Sequence, residues 1–574
     1  MDSNRKLHAA GLLLAGLLTG AAPANAALTN CTQAALAGLG VANVTVVSAG
    51  PSATNPHLCQ VFGAVKTTGF GAPDGSAQFE LQLPSPWNGK FLFFGVGGLA
   101  GSLSPAANPV DFLESLPKGY ATIITDTGHQ AGGTDARWAL IAPGVPDEAK
   151  LIDYFFRAAH QVTQAGKLLV QSFYQAPIAR AYFEGCSNGG RMAYMEATRF
   201  PEDYDGIIAG APFMDMRTLL AGRLFQTTQL ASPNAYIPAG KLAMVDAAIR
   251  ASCDKADGVA DGLIQNPAKC AFDPKTLVKS ACTASDASCL TPEQGHTLAT
   301  YFTALRDEEG DLIYPGQSVG ELGGGDGMDL WSTGFVPPTD FTANEPWGNL
   351  GFSPSPISWQ FVDHFLKYIV TRDPNFDIRT FDEGTRIDDR ALDLLDDRTE
   401  AGDADIPRKL ERFLAQNRKL LVYHGFSDPA LPAFRTIVHY EALAQRTGLD
   451  KLRKNMRLFM VPAMHHCVGG PGPNVFDTLS ALEKWVEHGQ APDAIPATHF
   501  VNNNPALGVD RTMPLCAFPE EAQYRGSGDV NSAANWACTP NQRLLEVGPN
   551  GRQAGLGEDG DDDRRADEDR GDHE

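Results

Sequence analysis

The chain has 574 residues, 43% of them hydrophobic and 20% charged, an ordinary globular balance with enough material for a large core and several domains. Its formal charge of -22 argues against a nucleic-acid partner, which calls for a basic surface.

Residues 1–26 read as an export signal. Arg5 and Lys6 precede an apolar run over 9–22, and Ala24-Asn25-Ala26 is a small-residue cleavage site, so the mature chain is expected to begin at Ala27. The run is too short and wrongly flanked for a membrane span, and no later stretch is long and apolar enough. The expected location is the periplasm or the outside of the cell.

Short apolar runs follow at 90–98 (KFLFFGVGG), 120–126 (YATIITD), 181–184 (AYFE) and 206–209 (GIIA), with a helix across 148–174 crossing between two of them. That alternation predicts a largely parallel sheet with helices on both faces. Between the strand at 181–184 and a helix at 191–199, which Pro201 closes, stands Gly185-Cys186-Ser187-Asn188-Gly189. A Gly-x-Ser-x-Gly turn between a strand and a helix is the context a serine nucleophile needs, because the glycines let the backbone bend sharply; a plain polar turn is the alternative. Acyl transfer also needs donors for the developing oxyanion. Asn188 supplies the first backbone N–H. Gly98, with Gly97 as alternative, is the candidate for the second, in the glycine-rich run 94–101 (FGVGGLAG), which is otherwise merely a turn. No dinucleotide fingerprint is present, so no organic cofactor is expected.

From 214 to 407 the strand rhythm fades, and loops such as 316–340 are rich in glycine and proline, which predicts an inserted segment of the lid type. Within it Asp254, Asp257 and Asp261 crowd the run CDKADGVADGL. Hard oxygen ligands so arranged suit calcium, with Val259 and Leu263 offering carbonyls, although a merely solvated loop has the same residues. The aromatics Trp331, Trp347, Trp359, Phe365 and Phe376 are expected to build the insertion's own core, with Trp359 the first choice for stacking on a substrate.

The rhythm resumes with predicted strands at 419–424 (KLLVYH) and 457–461 (RLFMV). The first delivers Asp428 on a strand-end loop, and the second delivers Met464-His465-His466-Cys467. A serine needs a base and a group to orient that base, in the chain order Ser, Asp, His. Ser187, Asp428 and His466 meet that order. His465 is expected to point elsewhere, His129 and His160 to be structural, and His424 to pack beneath the site. A bridge between Cys186 and Cys467 would force Ser187 and His466 together; the alternative is that both cysteines belong to other pairs.

On these residues, Cys186-Ser187, Asp428 and His466-Cys467, the chain resembles the tannase and feruloyl esterase family from about Cys31 to Cys538. The resemblance implies an α/β-hydrolase core with a large inserted lid, and hydrolysis of small esters of aromatic acids, whether feruloyl, galloyl or terephthalate monoesters. It implies structural calcium in the lid at Asp254, Asp257, Val259, Asp261 and Leu263. Together with short spacing it narrows the ten cysteines to Cys31 with Cys59, Cys253 with Cys270, Cys282 with Cys289 and Cys516 with Cys538, besides Cys186 with Cys467. The implied layout is core at 27–213 and 408–545 around a lid at 214–407, followed by a disordered acidic tail at 546–574. A serine peptidase or a catalytically silent binding protein on the same fold are the rival functions.

Overall fold

The computed structural model describes residues 30–348, 355–381, 386–404 and 407–540. The export signal at 1–26 and the acidic tail at 546–574 lie outside them.

The apolar runs become the middle of a nine-stranded sheet. In chain order its strands are β1 (Val44–Pro51), β2 (Leu58–Thr67), β3 (Gly75–Pro84), β4 (Lys90–Phe94), β5 (Ala121–Thr125), β6 (Arg180–Cys186), β7 (Gly206–Gly210), β8 (Lys419–Gly425) and β9 (Met456–Val461). They lie in the order β1-β2-β3-β5-β4-β6-β7-β8-β9. From β5 to β9 every pairing is parallel, while β1, β2 and β3 are joined to one another and to β5 antiparallel. This is the α/β-hydrolase arrangement, with the chain leaving after β7 for a long insertion and returning at β8.

The parallel strands are buried on both faces, so they read as unbroken apolar runs. Phe91, Phe93 and Phe183 face one side, toward helix α1 (Ala158–Tyr174) and helix α2 (Asn188–Arg199). Leu92, Phe94, Leu421 and Tyr423 alternate to the other, against Leu479, Leu482 and Trp485 of the helix Thr478–His488. The segment that leads into α1 is helical from Glu148, with a π-turn at Asp153–Arg157. That turn buries an Asp153–Arg157 ion pair at 2.6 Å, whose aspartate also accepts the Thr67 hydroxyl.

All five disulfides implied by the resemblance are formed: Cys31–Cys59, Cys186–Cys467, Cys253–Cys270, Cys282–Cys289 and Cys516–Cys538. The insertion has its own small core, in which Val245, Ile249, Leu298 and Phe302 pack with Cys253 and Cys270.

Candidate active site

Ser187 stands where β6 turns into α2, at the carboxyl ends of the parallel strands. Its backbone angles are φ 63° and ψ -125°, a strained setting for a residue with a side chain. Gly185 allows it: a Cβ there would meet the backbone of Gly189 at 2.5 Å, so the strand and the returning helix close on each other only with hydrogen in that place. The Cys186–Cys467 bridge, with Cα atoms 6.0 Å apart, brings the loop after β9 to the same point.

His466 Nδ1 donates to Asp428 Oδ2 at 2.7 Å. This fixes the tautomer and leaves Nε2 as the ring's other nitrogen, and Ser187 and His466 open on one cavity. Asp428 is held in turn. Its Oδ1 accepts the N–H groups of Ala430 and Leu431 at 2.8 and 2.9 Å. His424 donates Nε2–H to Oδ2 at 3.2 Å while its Nδ1 accepts the Thr436 hydroxyl. Burial by itself would push the Asp428 carboxyl up, but the imidazoles of His466 and His424 hold it well below the usual carboxylate range, so it is an anion throughout physiological pH. His424 thus touches the acid directly, a role its position four residues earlier could have suggested.

Gly98 and Asn188 line the same cavity. Among the described residues the backbone N–H groups of both are without an acceptor, whereas the neighbouring Leu99 N–H is spent on the Gly133 carbonyl. Gly97 is not part of the wall. Gly98 has φ 58°, and a Cβ on it would meet the Gly133 oxygen at 2.3 Å, so this turn requires glycine. The loop is anchored from three sides. The Asn188 side chain donates to the Val96 carbonyl, the Tyr154 hydroxyl donates to that of Gly98, and His129 donates Nε2–H to that of Leu99. Burial brings His129 down to about 4, so it is a neutral donor stacked on Trp138.

The cavity encloses about 550 Å³ of space between atoms, part of it open to solvent. Its wall is mostly apolar: Leu99, Phe213, Leu219, Trp331, Phe361, Val362 and Leu431, with Thr218 and Ser358 the hydroxyls besides Ser187. Trp331 meets the His466 ring edge-on at 4.7 Å and lies parallel to Phe361. Trp359, expected on the substrate, is not there. It is 4% exposed and packs on Trp347, and both, with Phe365, belong to the large core shared with the sheet rather than to the insertion's own core as expected. The helix Ile357–His364 sends Ser358, Phe361 and Val362 to the cavity at three- and four-residue spacing, while Trp359, about 100° round the helix from Ser358, turns into the core. Phe361 escaped the sequence reading, which had no way to phase that helix.

The acidic loop lies in the insertion, closed by Cys253–Cys270. Asp254 Oδ1 accepts the N–H groups of Asp261 and Gly262, and Asp261 Oδ2 pairs with Arg511. Asp257 Oδ2 is buried with no partner among the described residues. The three carboxylates do not gather as tightly as His160, Glu196 and Asp203, whose ligand atoms lie within 4.8 Å of one another. His160 there pairs with Asp203 at 2.7 Å, and the half-buried Lys167 amine reaches the Asp203 carbonyl.

Residues 59–539 match the family described as tannase and feruloyl esterase. The chain is 33% identical over 532 residues to a mono(2-hydroxyethyl) terephthalate hydrolase of Piscinibacter sakaiensis, covering 85% of each protein. It is 30% identical over 486 residues to a probable feruloyl esterase B-2 of Aspergillus flavus, covering 80% of this chain and 84% of that one. Among solved structures, feruloyl esterase B from Aspergillus oryzae superposes with a TM-score of 0.73 at 24% identity, over 89% of this chain and 100% of that one. Tannin acyl hydrolase from Aspergillus niger gives 0.67 at 20% identity, over 90% and 96%. The two structures share the fold.

Proposed function

The chain belongs to the tannase and feruloyl esterase family and is a carboxylic ester hydrolase, and from that premise we propose that Ser187, His466 and Asp428 are its triad and that its substrates are uncharged esters of aromatic acids. The observation that carries the reading is the His466–Asp428 hydrogen bond beside a serine in a strained turn, in one cavity walled by aromatic rings.

Ser187 Oγ attacks the ester carbonyl as His466 Nε2 takes its proton. The oxyanion that forms faces the free N–H groups of Asn188 and Gly98, which need no reorganisation to receive it. His466, now an imidazolium stabilised by Asp428, protonates the departing alcohol. It then activates a water that releases the acid from Ser187.

The wall selects the acyl group. Trp331, Phe361 and Phe213 offer flat apolar contact, and among the described residues no lysine or arginine lines the cavity. An acyl group bearing a second, free carboxylate would be desolvated there without a counter-charge, which is costly. Feruloyl-type acyl groups suit the wall better than terephthalate monoesters, and better than the heavily hydroxylated galloyl group.

The acidic loop offers a hard cation the buried Asp257 oxygen, which has no partner among the described residues, with Asp254 and the Arg511-paired Asp261 in the same loop. Asp254, Asp257 and Asp261 with the carbonyls of Val259 and Leu263 would hold calcium, which there supplies charge compensation for the loop. The five disulfides point to an oxidising compartment and so to export. Among the described residues no helix is long and apolar enough to cross a membrane.

The test is a panel of methyl ferulate, methyl gallate, mono(2-hydroxyethyl) terephthalate and a short aliphatic ester, with Ser187→Ala as control. Methyl ferulate is expected to give the highest kcat/KM. Ser187→Ala should lower turnover by about 10⁴-fold or more with the fold intact. The terephthalate monoester as preferred substrate would refute the charge argument, and near-normal turnover by Ser187→Ala would refute the triad.

A further inference from the structure

Residues flanking the triad run back to one buried glutamate in the insertion, one to its carboxylate and one to its backbone carbonyl. Glu321, in the glycine-rich loop 316–340, is 3% exposed. Its Oε2 accepts the Ser427 hydroxyl at 2.9 Å, and its backbone N–H donates to the same Oγ at 3.2 Å. Ser427 is the residue before Asp428. The Glu321 carbonyl accepts Nε2–H of His465 at 3.3 Å, and His465 is the residue before His466. The remaining oxygen, Oε1, accepts the N–H of Ile264 at 3.2 Å, directly after Leu263 in the acidic loop.

The surroundings reinforce each of these links. Gly320 passes so close that a Cβ on it would meet Ser427 Oγ at 2.5 Å. Asp326, five residues on, pairs with His465 Nδ1 at 2.9 Å and accepts the Gly470 N–H, so both sides of the histidine loop are tied to this segment. Leu263 is buried with Ala463, Met513 and Trp536, which places the acidic loop directly against the backbone leading to His466. Burying a carboxylate costs free energy, and core packing alone would be served better by an apolar side chain. A carboxylate does what an apolar group cannot: it accepts hydrogen bonds from two separate segments at once.

We propose that Glu321 is a positioning residue, a buried strap that fastens the Asp428 and His466 loops to the acidic loop of the lid, so that cation binding there and alignment of the triad are coupled. This rests on the triad and the cation loop as read above. Glu321 does not line the cavity, so its loss acts on alignment rather than on substrate contact.

The experiment compares the full mature protein with Glu321→Gln and Ser427→Ala. A misplacement of about 1 Å costs up to about 100-fold in turnover, so kcat on the best ester should fall about tenfold to a hundredfold in Glu321→Gln. KM should change less than about threefold. Calorimetric titration with calcium chloride should show affinity weakened by about tenfold, because coupling between two sites is reciprocal. Ser427→Ala, which deletes one hydroxyl, should show a smaller drop in kcat, and the double variant should lose less than the two single losses combined. Wild-type kcat in both variants, with only the melting temperature lowered, overturns the proposal. Reduced kcat with unchanged calcium affinity overturns the coupling. The underlying readings fail separately: a wild type that takes up no calcium removes the cation loop, and an active Ser187→Ala removes the triad.

Discussion

Removing the bridge between Cys186 and Cys467 tests how the site is assembled. The bond closes a stretch of 281 residues, by far the longest of the five. The chain-entropy relation gives about 5.5 kcal/mol for such a closure at 25 °C. The bridges nested inside it span 17 and 7 residues and hardly shorten the effective loop. Against this, the folded state of Cys186→Ala/Cys467→Ala keeps the His466–Asp428 bond, the Asp326–His465 pair and the parallel register of β6 with its neighbours. The variant should therefore fold at low temperature, lose about 5 kcal/mol in urea unfolding followed by tryptophan fluorescence, and retain a triad loosened enough to lower kcat by about tenfold. The variant keeps the other four bridges, so the difference between it and the wild type, both scanned without reductant, isolates this one. A loss below about 1 kcal/mol would refute the argument that the long closure limits the unfolded ensemble.

Phe361→Ala should raise KM for aromatic esters by about tenfold through lost ring contact, whereas Trp359→Ala should cost about 3–5 kcal/mol of stability with KM little changed; the opposite pattern would restore Trp359 to the substrate. Saturating calcium, at about a hundred times its Kd, should add about 2.7 kcal/mol to the folded state, seen as a rise in Tm over chelated protein that Asp257→Asn abolishes. Equal Tm with calcium and with chelator would sink that reading. A pH experiment addresses Glu184 and Asp111, buried behind the nucleophile strand, where Glu184 Oε2 and Asp111 Oδ1 have no donor among the described residues. Burial first, then mutual repulsion, pushes Glu184 well up, and burial likewise lifts Asp111 to about 8. Raised carboxyl groups stabilise the fold below their unfolded pKa of about 4 and lose that contribution as pH rises toward the folded value. Glu184→Gln, whose amide can donate to Asp111, should narrow the fall in Tm between pH 5 and about 8; an unchanged or steeper fall would show that the pair does not hold its protons.

The parallel half of the sheet was legible because its strands are buried on both faces and stand as unbroken runs of Phe, Ile, Leu and Val. Strands β1 to β3 were missed for the complementary reason. They face the core on one side only, so Phe79, Leu81 and Leu83 of β3 alternate with Gln78, Glu80 and Gln82 and leave no apolar run to notice. The period-two signal was present but weaker. The insertion was recognisable by its texture, yet its faces were not, since a helix such as Ile357–His364 has aromatic and apolar residues around most of its circumference and sequence does not say which arc meets the cavity.

What the sequence by itself determined is local chemistry: a serine in a turn that only glycines permit, an aspartate and a histidine delivered by strand ends in the right chain order, and acidic residues bunched within one loop. Those features depend on neighbours a few positions apart, so they survive without coordinates. Tertiary structure decided everything that depends on residues meeting across hundreds of positions: that Trp331 and Phe361 rather than Trp359 wall the cavity, that His424 steadies Asp428, and that Glu321 joins Ile264 to Ser427. A buried glutamate in a glycine-rich loop has no sequence signature, because its partners are a backbone N–H and a hydroxyl that any segment can offer, and only the packing of the lid on the core selects which.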